Sequence, residues 1–325
     1  MIRCIAIPLL LLAARTVDAQ ALASTELARL DLDDADFTVQ ALASSTLLSG
    51  GRLALFDEGY WRIQLFDRQL IARGRAGAKG QGPGELSPFV GFGNLRVGHV
   101  GDSLWTYDDG LRRFTLFTPT LRLARTIPLP PPDGRSAARY TALALIADGQ
   151  MLVAASDPGD PRRFALRVVR EDGTPVRELQ LFRTDSSVVM RTEGSGYVPV
   201  PYRTSFKRAI SPSGARIAYV SFTPGSSGRG TLRVRHESVA GRALLERAYP
   251  VQSVALTRSM IDSAVGASPP ARGTSAASSA TQSLVRQHVR EVADPFSAGV
   301  LGDDGVLWLR RASVAAPTGP IPWAW

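Results

Sequence analysis

The side chains best suited to bind a metal or to move a proton at neutral pH are histidines, and this chain has three: His99, His236 and His288. They stand far apart, with none of the short spacings by which one element presents two ligands. No metal site, no cofactor and no catalytic residue is assigned from them. A carboxylate centre could draw on Asp57, Asp108 and Asp303. Each of these, however, opens an Asp-acidic-Gly triplet, and aspartate in that setting closes turns through its own side chain. Serine chemistry has little support. Gly194-Ser195-Gly196 and Ser226-Ser227-Gly228 lie in loop-forming composition with no histidine near either, and neither has the Gly-x-Ser-x-Gly form of a nucleophile elbow.

Gly80-Gln81-Gly82-Pro83-Gly84-Glu85 has the glycine content of a phosphate-binding loop. A phosphate loop also needs a lysine and a hydroxyl residue at the mouth of a helix, whereas here Lys79 precedes the glycines and Pro83 and Pro88 oppose a helix. The glycines therefore read as a structural loop with positive-φ turns, and Glu85 as an acceptor for its exposed amides. The residues chosen as ligand-binding candidates are Arg62 and Arg113, each beside a second candidate, Trp61 or Arg112. Guanidinium groups at a repeated position fit an anionic ligand. Their competing role is to bond the turn carboxylates Asp57 and Asp108.

That position is defined by an internal repeat. Leu53 to Phe66 aligns without a gap on Leu104 to Phe117, so that Asp57, Gly59 and Arg62 fall on Asp108, Gly110 and Arg113, 51 residues later. Repeats of this length mark propellers or solenoids. Each unit reads as strand, Asp-acidic-Gly turn and a second strand of alternating polarity, which excludes a helical repeat and predicts a hairpin with one buried face. Weaker copies follow at Met151 to Gly173 and at Ile217 to His236, and Gly305 begins another whose Trp308 lies 203 residues after Trp105, close to four periods. Four units and a fraction are thus visible, in an all-β chain of four-stranded blades. A lone blade cannot bury its faces, so neighbours must stack around an axis.

Between the fourth and fifth units, residues 253–294 change character. A low-complexity stretch from Gly266 to Ser279 is flanked by two helical patterns, the second placing Leu284, Val285, His288, Val289 and Val292 on one side and Arg286 and Arg290 on the other. This reads as a helical insertion carried by a blade loop.

The first nineteen residues combine Arg3, an apolar run from Ile5 to Ala14 and small residues at Val17 and Ala19, the pattern of a signal peptide cleaved after Ala19. The domain reading is 1–19 signal peptide and 20–325 a single propeller domain, periplasmic or extracellular, with no transmembrane segment. Cys4, the one cysteine of the chain, would leave with the signal, which removes disulfides and thiolate chemistry from the mature protein. The formal charge is +9, and all basic residues but Lys79 and Lys207 are arginines. They are spread along the strands rather than clustered with aromatics, so nucleic acid is not a predicted partner. An unknown protein, or an anionic polysaccharide or other ligand of the envelope, fits better.

With the residues in view, Gly50 to Asp57, Trp61 to Asp67 and Gly74 to Pro88 resemble NHL-type repeats. The segment is most similar to exported bacterial six-bladed propellers that carry a Gly-Gln-Gly-Pro-Gly-Glu loop after an early blade. The resemblance extends from Phe37 to the C-terminus and implies six blades and, for most such proteins, no assigned activity. Some NHL-type propellers are zinc-dependent lyases, and related six-bladed folds hydrolyse lactones with an axial metal. The resemblance thus implies an axial-metal lyase or hydrolase as the alternative to a non-catalytic binding or scaffold module. Apart from the insertion, the mature sequence supplies about 265 residues, close to five blades at this period. Two expectations follow: a six-bladed sequence whose last blade is missing or incomplete, or a five-bladed ring closed by Phe37 to Leu42.

Overall fold

The computed structural model describes residues 42–87, 96–131, 140–156, 163–183, 189–191, 197–199, 208–225, 228–253, 255–266, 282–283, 286–287 and 292–311. Its first blade comprises β1 (Leu42–Leu47), β2 (Leu53–Asp57), β3 (Arg62–Phe66) and β4 (Ala72–Ala76). The second comprises β5 (Arg96–Val100), β6 (Ser103–Asp108), β7 (Arg113–Phe117) and β8 (Leu123–Pro128). The third comprises β9 (Tyr140–Leu145), β10 (Met151–Ser156), β11 (Arg163–Val169) and β12 (Pro175–Arg183). After a small hairpin of β13 (Val189–Arg191) and β14 (Tyr197–Pro199), the fourth comprises β15 (Arg208–Ile210), β16 (Arg216–Pro224), β17 (Arg229–Ser238) and β18 (Ala243–Gln252). A two-stranded sheet of β19 (Phe296–Leu301) and β20 (Leu307–Arg311) follows the insertion.

Each four-stranded sheet is an antiparallel meander in chain order, and first strands meet first strands: β1 packs against β5, β5 against β9, and β15 against β19. This is the propeller arrangement, with first strands lining an axis and fourth strands facing outward. The 51-residue repeat is visible in the backbone. Trp61 and Arg112 occupy the same left-handed turn position (φ 55° and 49°), and Leu70 and Leu121 share another (φ 61° and 60°).

Burial differs from the expectation of one buried face. In β2, β3 and β6 nearly every residue is buried, including Gln64 and Thr106 on the polar phase of the alternation. The reason is stacking: a middle strand has a neighbouring blade on both sides, so both faces leave water. The outer strands β4, β8 and β18 are largely exposed. One core cluster joins Phe56 and Ile63 of the first blade to Leu104 and Phe117 of the second. A larger one joins Trp105 and Phe114 to Leu145 and Met151 of the third blade and Ile217 of the fourth.

Trp308 lies in β20, three blade positions beyond Trp105 in β6 and not four, because the connections at 184–207 and 253–295 lengthen the spacing. Within the insertion, α1 (Arg258–Gly266) is followed by short helical stretches at 282–283 and 286–287, and Arg286 pairs with Asp262 at 3.0 Å. A bridge between Ala255 and Val292 closes its base. Among the described residues no helix is long and apolar enough to cross a membrane. The expectations placed on residues 1–41, on Leu284, Val285, His288 and Val289, on Gly194 to Gly196, and on 312–325 lie outside the described residues.

Candidate functional site

The glycine loop leads from β4 toward β5 and folds upon itself, with Gly80 N bonded to Leu86 O at 2.9 Å and Leu86 N to Ala78 O at 2.8 Å. Glu85 Oε2 accepts from Gly82 N at 2.8 Å. Positive φ is required at Gly84 (81°) but not at Gly80 or Gly82. At those two the demand is for space, since a Cβ would come within 2.0 Å and 3.0 Å of the same Glu85 oxygen. Pro83, between Gly82 and Gly84, is exposed.

Arg113, the first residue of β7, reaches into this loop. Its Nη1 donates to Gln81 O at 3.1 Å, and its Nη2 donates to Gly82 O and, at 3.1 Å, to Glu85 O. Asp108, buried at the end of β6, accepts from Leu111 N at 3.0 Å and from Ser87 N at 2.6 Å. The loop therefore presents carbonyls to a cation rather than amides to an anion, the opposite polarity to a phosphate loop. It clasps the first blade to the second and seats Leu86, fully buried, in the core between them. By area alone that side chain contributes about 2 kcal/mol.

The other arginine candidates sit in less demanding surroundings. Arg62 lies over the exposed ring of Tyr60 at 4.3 Å, with its Nε 4.0 Å from Asp57 Oδ2. Asp57 itself caps its turn by accepting from Gly59 N at 3.0 Å. Arg112 is exposed and makes a long contact of 3.5 Å to Tyr140 O, and Trp61 is half-buried. The structure thus does not bring Arg62 and Arg113 together around a shared space.

Such a space exists on the axis. A cavity of about 450 Å³ is lined by the first strand of each four-stranded blade and of the β19–β20 sheet: Ser44 from β1, Arg96 from β5, Leu143 from β9, Arg208 from β15 and Gly299 from β19, together with Trp105 of β6. Among the described residues the lining includes two arginines and no acid. Burial lowers the pKa of both guanidinium groups, and for Arg208 the neighbouring charge of Arg96 adds to burial and brings it to about 10. The two are structural equivalents. Arg96 pairs across its sheet with Tyr107, Arg208 pairs across its sheet with Tyr219, and burial raises both phenols.

At the other end of the first strands, His99 and the loop after β15 meet the β19–β20 turn. His99 Nε2 lies 2.7 Å from Asp303 Oδ2 and its Nδ1 3.0 Å from Gly101 O, so both ring nitrogens are engaged. Ser213 donates to the same Asp303 from its Oγ and, at 3.1 Å, from its backbone N. Burial alone would raise the Asp303 carboxyl, but hydrogen bonds from Ser213, His99 and Ser211 outweigh it and hold it below the usual 3.8. The serine hydroxyl is directed to the aspartate and not to the imidazole, so these three residues form a tie between blades rather than a nucleophile relay. Asp303 also corrects the sequence reading: it lies in a first-to-second-strand turn, whereas Asp57 and Asp108 lie between second and third strands. His236 is buried in β17, and burial lowers its pKa. Among the described residues no three His, Cys, Asp or Glu side chains are grouped to hold a metal ion.

Arg96 and Arg208 were absent from the sequence reading, although a signal was available. Each precedes its partner tyrosine, Tyr107 or Tyr219, by 11 residues. The 51-residue alignment hid it because the copies are two blades apart and joined by connections of unequal length.

The fold and cavity define an all-β propeller with a basic axial chamber. No family model and no curated protein matches the chain. Among solved structures, the chain is similar to a Bacteroides fragilis protein described as exported, at 11% identity over 69% of this chain and 74% of that one, with a TM-score of 0.36. It is also similar to a streptogramin B lyase (12% identity, 82% and 89% covered, TM-score 0.30) and to apo AztD from Citrobacter koseri (12%, 85% and 57%, TM-score 0.34). At these identities and scores no property passes from them to this chain.

Proposed function

We infer that this chain is an exported binding module whose small-molecule ligand enters the axial cavity. The observation that carries this reading is the lining: the first strands of all four four-stranded blades and of the β19–β20 sheet contribute to one space, and its mixture of apolar walls with a few polar groups is that of a ligand pocket. Arg113 is held by the glycine loop, so the ligand is placed on the axis and not at the Arg62 and Arg113 positions. The alternative of an axial-metal lyase or hydrolase calls for three converging ligands, whereas the described lining offers guanidinium and hydroxyl groups, which bind anions. A signal peptide ending at Ala19 and a propeller of the six-bladed type belong to the same proposal. Export from a secreting host should yield a mature N-terminus at Gln20 by N-terminal sequencing.

The test of the binding reading is a thermal-shift screen of small organic acids, sugars and sugar acids against the purified chain, repeated with Ser44→Trp, which fills the cavity from β1. Compounds that raise the melting temperature of the parent but not of the variant support it. Stabilisers equally effective on both proteins would refute it.

A further inference from the structure

We propose that the axial cavity is a cup closed at one end by the β15–β16 turn, and that it takes a compact molecule or the free end of a chain rather than an internal stretch of a linear polymer; this rests on the reading of the cavity as a ligand site.

The closing element is Ser211-Pro212-Ser213-Gly214, which follows β15 directly. Serine first, proline second and glycine fourth is the composition of a type I turn, and Gly214 N closes it on Ser211 O at 2.8 Å. Ser211 and Pro212 belong to the lining of the cavity. From there the turn reaches three other sheets. Pro212 O accepts from His99 N of β5 at 3.2 Å, and the neighbouring Gly98 has no room for a side chain, because a Cβ there would collide with the Pro212 carbonyl and the Trp105 ring. Gly214, at φ 71°, meets β9, where a Cβ would come within 2.9 Å of Ala144. Ser213 binds Asp303 in the β19–β20 turn, and Asp303 is itself held by His99 Nε2 at 2.7 Å.

The corresponding turns of the first and third blades stay within their own sheets: a Cβ at Gly51 would meet Arg68, and one at Gly149 would meet Glu171. The fourth blade's turn instead crosses the end of the cavity. The second and fourth blades are separated by the third, so the bond from His99 to Pro212 spans the axis. The opposite end is where β5 and β15 begin. Arg96 and Arg208, the first residues of those strands, line the cavity and are half-buried, and the connections that join one blade to the next arrive at this end. A channel open at both ends lets a polymer lie through it, whereas a cup admits only what ends inside it. The volume of about 450 Å³ is that of a small-molecule pocket.

Closure is tested by hydrogen exchange at single amides of the full chain with no ligand added. The amides of His99, Ser213 and Gly214 should exchange about a hundredfold or more slower than that of Gly51, whose bond to Leu48 O closes the corresponding turn of the first blade. Asp303→Ala should bring Ser213 and Gly214 to within about tenfold of Gly51, while amides of β10 stay protected and show that the variant is folded. Gly98→Ala should do the same at His99, and if it fails to fold, Asp303→Ala decides the matter. Entry is tested in a Cys4→Ser background with Ser44→Cys on the cavity wall and Arg75→Cys on the exposed β4 as reference. A poly(ethylene glycol) bearing a maleimide at its end should label Ser44→Cys about tenfold or more faster than one of equal mass bearing it at mid-chain, with little difference at Arg75→Cys. Turn amides that exchange as fast as Gly51 in the parent, or equal labelling of Ser44→Cys by both reagents, overturn the proposal. Should the turn be protected while no compound of the thermal-shift screen depends on Ser44, the closure stands and the ligand reading falls. Should compounds depend on Ser44 while the turn is unprotected, the ligand reading stands and the closure falls.

Discussion

Two pairs of arginines in this molecule show how surroundings decide what a guanidinium does. Arg113 ends in a loop of backbone carbonyls, three of which accept from its terminal nitrogens, and its charge helps hold one blade to the next. Arg96 and Arg208 end in a cavity lined by hydroxyl and apolar groups and by each other. The first arrangement completes the fold without any ligand. The second faces the axial space in which the proposed ligand would sit. Repetition in sequence drew attention to the first position, and repetition in three dimensions reveals the second.

The comparison breaks most readily at the clasp. Arg113→Ala removes three hydrogen bonds, two of them to half-buried carbonyls, and should destabilise the chain by about 2 kcal/mol, read as a lower urea midpoint, with binding at the axial cavity in the remaining folded protein unchanged. A loss of affinity with little loss of stability would return Arg113 to the binding candidates.

Arg208→Gln sharpens the contrast in the opposite direction. Removing one of two half-buried neighbouring like charges should change stability by no more than about 1 kcal/mol, seen as a nearly equal melting temperature. If it destabilises as much as Arg113→Ala, the axial pair is structural.

The smallest expected effect is a pH dependence at the other end of the first strands. Asp303 is held below 3.8 in the folded chain, so its contribution is present above the unfolded value and is lost as pH falls through the folded one. Asp303→Asn should therefore be less stable than the parent at pH 6, with the gap closing as pH falls through the lowered folded value. Urea midpoints measured from pH 6 to 3 check this. A gap that stays constant over that range would show that the carboxylate charge is not what ties His99 and Ser213 together.

Much of the propeller was legible because its signals are local. The Asp-acidic-Gly turns, the two aligned hairpins and the glycine loop each depend on residues within a few positions of one another, and the structure forms a turn or strand at each of them. Both-face burial of Gln64 and Thr106 was not legible, since alternation within a strand reports one sheet and not the neighbouring blades that cover its other face. The same limit explains the axial site. Arg96 and Arg208 are 112 residues apart, and what brings them together is the angle at which successive blades stack, which no spacing along the chain encodes. The tie of His99 to Asp303, across 204 residues, was hidden for the same reason.

The account turns on where a ligand resides, and diffraction locates one directly. Crystals of the parent chain soaked with a compound that stabilises it in the thermal-shift screen should show that compound in the axial cavity, and crystals of Ser44→Trp should lack it. Compound confined to the outer surface, or an empty axial cavity in the parent, would contradict the account.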